Sequence, residues 1–255
     1  MKKFGVSYFI RRFLLLIGLA LSVGGLSLVG TTLAQSGANA GWVEIGAESA
    51  SGHGISKNAL YSFYPSTAIG PDDAPIVAWY SNENIYVRRW DGVDWVEIGA
   101  GSAGGGGISK TGFSHSPSLA VGPDGAPIVA WYDRSSDNEE IYVRRWNGST
   151  WAEMGAGSAT GGGISNSAGY SVLPSLAIGP DNAPVVAWHD FSNGNDEIYV
   201  RRWDGSAWVE MGAGSATGGG ISNNAGPSHG AVAAVGPDGA PVVAWIDKSS
   251  GNREI

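Results

Sequence analysis

Short apolar runs of four to six residues recur along the chain, each closed by turn-forming residues, and none follows a helical period. Residues 174–213 show the pattern most clearly. Ser175-Leu-Ala-Ile-Gly179 stops at Gly-Pro-Asp-Asn, where Pro180 presets φ for the first central position of a turn and Asp181-Asn182 suit the next. Pro184-Val-Val-Ala-Trp188 follows, β-branched and aromatic. A polar loop then leads to Ile198-Tyr-Val-Arg-Arg-Trp203, Asp204-Gly205 marks a tight hairpin, and Trp208-Val-Glu-Met211 is the fourth run. The segment predicts four short antiparallel strands.

The same segment repeats. Ala-Pro-Val/Ile-Val-Ala-Trp ends at Trp79, Trp131, Trp188 and Trp245, spaced 52, 57 and 57 residues apart. Trp-x-Glu-Ile/Met-Gly-Ala begins at Trp42, Trp95, Trp151 and Trp208, and Ile-Tyr-Val-Arg-Arg-Trp ends at Trp90, Trp146 and Trp203. These three positions account for all eleven tryptophans, so none stands apart as a one-off binding residue. Four strands in about 55 residues are the pattern of a propeller blade. The small residues of the first run (Ser118, Ala120, Gly122) suit a crowded inner edge, and the tryptophans suit wide blade-to-blade contacts. A sandwich needs about seven strands per unit, and solenoid coils are usually shorter than this period. The expected fold is all-β, a propeller with complete blades at 66–99, 118–155 and 175–212, a partial blade at 231–255 and a lone outer strand at 42–47. Because the last copy stops at Arg253-Glu254-Ile255, the chain reads as an incomplete propeller, a fragment rather than a four-blade ring.

Composition alters this picture at the N-terminus. Lys2, Lys3, Arg11 and Arg12 precede an apolar stretch from Phe13 to Gly30, with small-residue cleavage sites after Ala34 and Ala40. Residues 1–34 read as a signal peptide, and the repeats at 35–255 as secreted, extracellular or at the cell surface. A membrane anchor left uncleaved is the alternative. Beyond residue 34 the chain holds 11 Lys and Arg against 23 Asp and Glu, a net charge of −12 that repels phosphate backbones and excludes nucleic acid as a partner. With no cysteine, an exported chain relies on its core alone.

Topology places any site. Successive turns alternate between the two ends of a blade, so the 2–3 loops and the 4–1 connections open on one face and the tight hairpins on the other. The long-loop face gathers the residues that differ between copies: Tyr61, Phe63, Phe113, His115, Tyr170, His189 and His229. Aromatic and imidazole groups on one rim suit recognition of a glycan, a peptide or an extracellular protein. The loop 190–197 has oxygen ligands at alternate positions, with Asp190, Ser192 and Asp196 as candidates for calcium, although an Asx-type turn explains it without metal. No other cofactor is expected. The repeated pairs Arg88-Arg89, Arg144-Arg145 and Arg201-Arg202 read as structural, since adjacent strand residues point to opposite faces.

The hairpins Asp91-Gly92-Val-Asp-Trp95, Asn147-Gly148-Ser-Thr-Trp151 and Asp204-Gly205-Ser-Ala-Trp208 carry a resemblance. The repeat, over residues 42–255, resembles those of sialidase-like (BNR-type) propellers of secreted bacterial proteins. The hairpin occupies the place of that family's Asp-box, Ser-x-Asp-x-Gly-x-Thr-Trp, but here Asp and Gly are adjacent and the box's Ser is missing. The resemblance implies a propeller and, as an alternative function, a truncated glycoside hydrolase. The near-identical blades lack the single-blade acidic and Tyr residues an enzyme needs, which favours non-catalytic binding.

Overall fold

The computed structural model describes residues 41–57 and 61–255; the expected signal peptide and its cleavage sites lie outside the described residues. The fold is all-β. Three four-stranded antiparallel sheets and one two-stranded sheet follow one another along the chain. The first blade is β1 (Ser62–Ile69), β2 (Pro75–Ser81), β3 (Asn84–Trp90) and β4 (Trp95–Glu97). The second is β5 (Ser114–Val121), β6 (Pro127–Asp133), β7 (Glu140–Trp146) and β8 (Trp151–Glu153), and the third is β9 (Ser171–Ile178), β10 (Pro184–Asp190), β11 (Glu197–Trp203) and β12 (Trp208–Glu210). The fourth unit has β13 (Ser228–Val235) and β14 (Pro241–Asp247).

These sheets share an axis. The four Gly-Pro turns, Gly70-Pro71, Gly122-Pro123, Gly179-Pro180 and Gly236-Pro237, converge around one cavity of about 380 Å³. Only radial blades bring the same turn of every repeat to one point; a straight stack would hold them a blade apart. Neighbouring first strands are also stitched together. Ser66 Oγ accepts from Leu119 N, Ser118 Oγ from Leu176 N and Ser175 Oγ from Ala233 N, each at 2.9 Å. The small residues of the first run let the strands come this close.

Strand alternation builds the core between blades. Ile76, Ala78, Ile85 and Val87 of the first blade pack on Leu119, Val129, Trp131 and Tyr142 of the second. The opposite face of the second blade, with Ile128, Ala130, Ile141 and Val143, packs on Leu176, Val186, Trp188 and Tyr199 of the third. Farther out, the hairpin places the strand-three and strand-four tryptophans opposite one another, Trp90 with Trp95, Trp146 with Trp151 and Trp203 with Trp208. Each pair clamps the preceding blade. Trp95, Trp151 and Trp208 donate from Nε1 to the carbonyls of Ile45, Ile98 and Met154, at 2.8–2.9 Å. Their partners cover the next residue, always a glycine. A Cβ on Gly46 would stand 2.6 Å from Trp90, and one on Gly155 2.9 Å from Trp203.

Two expectations are corrected. Residues 42–47 form no strand. They still act as a docking edge for the first blade through Ile45 and Gly46. The first strand also begins ahead of the expected positions 66, 118 and 175, at Ser62, Ser114 and Ser171. A register shift lets it run on. Tyr64, Ser116 and Leu173 take left-handed φ of 51°, 47° and 54° there, the conformation of a bulge.

A buried carboxylate closes the far end of strand two. Asp133 Oδ2 accepts from Trp131 Nε1 at 3.1 Å and Ser114 Oγ at 2.7 Å, and Oδ1 from Ser135 N at 2.9 Å. Asp190 repeats this with Trp188, Ser171 and Ser192. The first blade has Ser81 instead, and Trp79 Nε1 is buried without a hydrogen-bond partner. Trp79 consequently lies stacked on Tyr86 at 21°, whereas Trp131 and Trp188 meet Tyr142 and Tyr199 edge-on at 75° and 68°.

Two predictions follow from this packing. Gly155→Ala should cost about 2–4 kcal/mol, from the clash with Trp203 added to a φ of +87°, while Gly205→Ala, with φ +103° and open space around it, should cost only about 1 kcal/mol. Asp133→Ser, which copies the first blade, should cost about 2–3 kcal/mol by orphaning the Trp131 indole, and Ser81→Ala much less. Urea unfolding of each variant measures both differences.

Candidate functional site

The long-loop face is held rigid from below. Each 2–3 loop accepts a backbone bond from the next blade's first strand: Ser114 N donates to Glu83 O at 2.9 Å, and Ser171 N to Glu139 O and Ser228 N to Asp196 O at 2.7 Å. The Gly-rich 4–1 connections close onto strand three, with Ile108, Ile164 and Ile221 donating to Ile85, Ile141 and Ile198 at 2.7–2.8 Å. Gly163 has to be glycine, since a Cβ at its φ of +60° would strike the Ile141 carbonyl. Glu140 and Glu197, both buried, tie the same connections down by accepting from Ser165 and Ser222. Burial pushes the Glu140 carboxyl above its ordinary value, against the pull of the Ser165 hydroxyl and the Ser167 amide.

Above this base the structure sorts the expected rim residues into two groups. The first spans blades one and two. Tyr61 stacks on Phe63 with ring centroids 6.2 Å apart, Phe63 and Tyr64 both reach Tyr80 at 6.2 Å, and Tyr80 stacks on His115 at 4.4 Å. His115 then stacks on Tyr132 at 5.3 Å, so the imidazole is sandwiched between tyrosines of two different blades. Tyr61 is 83% exposed, Phe63 50% and Tyr64 59%. The bulge puts Tyr64 on this surface beside Phe63. Phe113 stands half-exposed on the same rim.

The second group lies on blades three and four. Tyr170 stacks on Phe191 at 5.0 Å and meets His189 edge-on at 5.7 Å, and His189 stands 6.3 Å from His229. Tyr170 Oη donates to Asp196 Oδ1 at 2.8 Å. His189 Nε2 lies 2.8 Å from the same oxygen, at an angle that makes no hydrogen bond, so both ring nitrogens are buried without one. Burial, then Asp196, pushes the Tyr170 phenol up to about 12. Asp196 goes the other way: burial favours its neutral form, but His189 and Tyr170 outweigh that and hold it below the usual carboxylate range.

The calcium candidates do not converge. Asp190 is turned inward onto Trp188 and Ser171, Ser192 caps it through its amide, and Asp196 faces Tyr170 and His189. Among the described residues no three His, Cys, Asp or Glu side chains group as metal ligands do. The arginine pairs divide as strand alternation requires. Arg89, Arg145 and Arg202 pair with Asp72, Asp124 and Asp181 of the 1–2 turns, on the opposite face from the rim. Arg88 and Arg144 bond the carbonyls of Trp95 and Ile108.

Sequence reasoning missed Tyr64, Tyr80, Tyr132 and Phe191 as rim residues, and took Asp196 as a calcium candidate rather than as the partner of Tyr170. Tyr80, Tyr132 and His189 share one position, immediately after the strand-two Trp. Strand alternation turns that position away from the Trp side, which was the available signal.

No family model matches the chain, and no curated protein does either. Among solved structures, an α-L-arabinofuranosidase from Fusarium graminearum aligns with a TM-score of 0.48 at 14% identity, over 73% of this chain and 56% of that one. A glycosyl hydrolase from Bacteroides ovatus gives 0.44 at 13% identity, over 74% and 61%. A fucose lectin from Kordia zhangzhouensis gives 0.36 at 17% identity, over 58% and 97%. The chain spans 60–62% of the length of the first structures it matches. At these identities the likeness concerns the fold alone.

The sandwiched imidazole predicts a pH dependence. Burial lowers the His115 pKa, more than Glu83 raises it, so the unfolded chain takes up this proton more readily than the folded one. The stability owed to the neutral ring is full above the ordinary histidine value of about 6.5 and is lost as pH falls through it toward the lowered folded value. Thermal melts from about pH 7.5 to pH 5 should therefore show a falling midpoint, with a smaller fall in His115→Phe.

Proposed function

We propose that the chain is an exported, non-catalytic propeller that binds a glycan through the axial rim of its long-loop face. The observation that carries this reading is the continuous ring ladder Tyr61–Phe63–Tyr80–His115–Tyr132, partly exposed and fixed on two blades. Flat rings on a rigid base suit the C–H faces of a pyranose, and the phenol and imidazole edges offer hydrogen bonds to its hydroxyls. Ordering such rings costs little entropy, because their neighbours already hold them. Export rests on the leader pattern of residues 1–34. No cofactor enters this reading.

The truncated-hydrolase alternative draws on one specific observation. Tyr170, Asp196 and His189 form a polar cluster on a single blade, the asymmetry that a catalytic centre needs. Its chemistry favours binding. A phenol raised to about 12 is a hydrogen-bond donor and a poor nucleophile at neutral pH. Asp133, Asp190, Glu140 and Glu197 are all buried and spent on blade closure.

A glycan array followed by calorimetry on the best hit tests the proposal. Tyr80→Ala and Phe63→Ala should each weaken binding by about tenfold, while Asp196→Asn leaves it within about twofold. Glycoside turnover abolished by Asp196→Asn would replace binding with the hydrolase reading.

A further inference from the structure

The opposite face carries a second feature that the rim does not use. Between blades two and three a groove of about 660 Å³ opens at the hairpin end, a size that suits a small ligand. Its lining includes Trp146 from blade two, Trp203 from blade three, the Arg145–Asp124 ion pair and Ala152. We propose that this groove is a binding site for a neutral pyranose unit of a soluble saccharide, distinct from the rim.

The residues supply what a sugar ring needs. Two indoles, one from each wall, give apolar faces for its C–H side. Arg145 and Asp124 present a fixed donor–acceptor pair whose side chains are 35% and 34% exposed, accessible yet already ordered by each other. A guanidinium beside a carboxylate can bond two adjacent hydroxyls at once, donating to one oxygen and accepting from the next. Opposed charges close together favour a neutral polyhydroxyl ligand over an ion.

Blade three places Asp181, Arg202, Trp203 and Asp204 around a groove of about 410 Å³. Position 152 distinguishes the copies. The middle residue of strand four is Val96 in blade one and Val209 in blade three, but Ala152 in blade two. The smaller side chain leaves room in the wall of the larger groove.

Ala152→Val tests this with little risk to folding, because it writes in the residue the other blades already carry. The full chain, labelled with nitrogen-15, is titrated with cellotetraose, xylotetraose and mannotetraose, and the indole N–H signals of Trp146 and Trp203 are assigned through single Trp→Phe variants. One of the three probes should shift both signals saturably. Ala152→Val and Asp124→Asn should each weaken that binding by about fivefold or more, and the rim variant Tyr80→Ala should leave it unchanged. The proposal is overturned if none of the probes moves these indoles at millimolar concentration, if Ala152→Val binds as the parent does, or if Tyr80→Ala removes the shift. Because the rim variant is scored in the same titration, failure of the groove and failure of the rim reading are separable.

Discussion

The propeller depends on one repeated contact, a pair of tryptophans from one blade closing over a glycine of the blade before it. The strand-four indole bonds the carbonyl ahead of that glycine, and the strand-three indole lies flat where any Cβ would stand. Neither half works alone. Without the glycine the ring has no seat, and without the ring the glycine is a flexible point on an outer edge. With no cysteines, the chain sets the angle between blades through this clamp, the apolar layer beneath it and the hydrogen bonds that join each first strand to its neighbour. The three positions that account for every tryptophan are thus the clamp pair and the strand-two ring of the core.

A geometry set from the outer edge leaves the inner, long-loop ends free to differ. The buried Asp that closes blades two and three is Ser81 in blade one, and that blade also collects Tyr61, Phe63, Tyr64 and Tyr80. The Ser81 hydroxyl donates there to the Tyr61 carbonyl at 2.9 Å. The left-handed residues at 64, 116 and 173 have the same logic. A bulge at the mouth of each first strand redirects one side chain per blade without disturbing the ladder below it. Non-glycine residues held in that conformation store strain of order 1 kcal/mol, tolerated because the rest of the strand is over-determined.

Much of this was legible in the residues. The turn chemistry, the period and the tryptophan positions gave the strand order within each repeat, because they are local and repeated. What was illegible is non-local or single-copy. Residues 42–47 match a fourth strand in every letter and still form none, since a strand is a property of the pair and not of its own letters. The spacing of Asp190, Ser192 and Asp196 resembled a calcium loop until alternation turned Asp190 into the core and left Asp196 outside it. Tyr170 and Asp196 lie 26 residues apart and meet only because the 4–1 and 2–3 loops share a rim. At Tyr80 and Tyr132 the position after the strand-two Trp was masked by its neighbour, a louder signal pointing the other way, whereas the imidazole of His189 stood out there.

The two faces therefore follow different rules of specificity. On the long-loop face the residues themselves change from blade to blade, so the recognition proposed there draws on a mixture of groups assembled once. On the hairpin face the groups are the same in every copy, and Arg89–Asp72, Arg145–Asp124 and Arg202–Asp181 recur almost unaltered. A repeated set of groups gives distinct sites only through space. The Val-to-Ala difference at position 152 removes two methyl groups from one wall and no polar partner, so it enlarges one groove while the chemistry stays constant. In a repeat protein this is an inexpensive way to make one copy unlike the others: the clamp is untouched, the register is untouched, and only the void between two indoles grows.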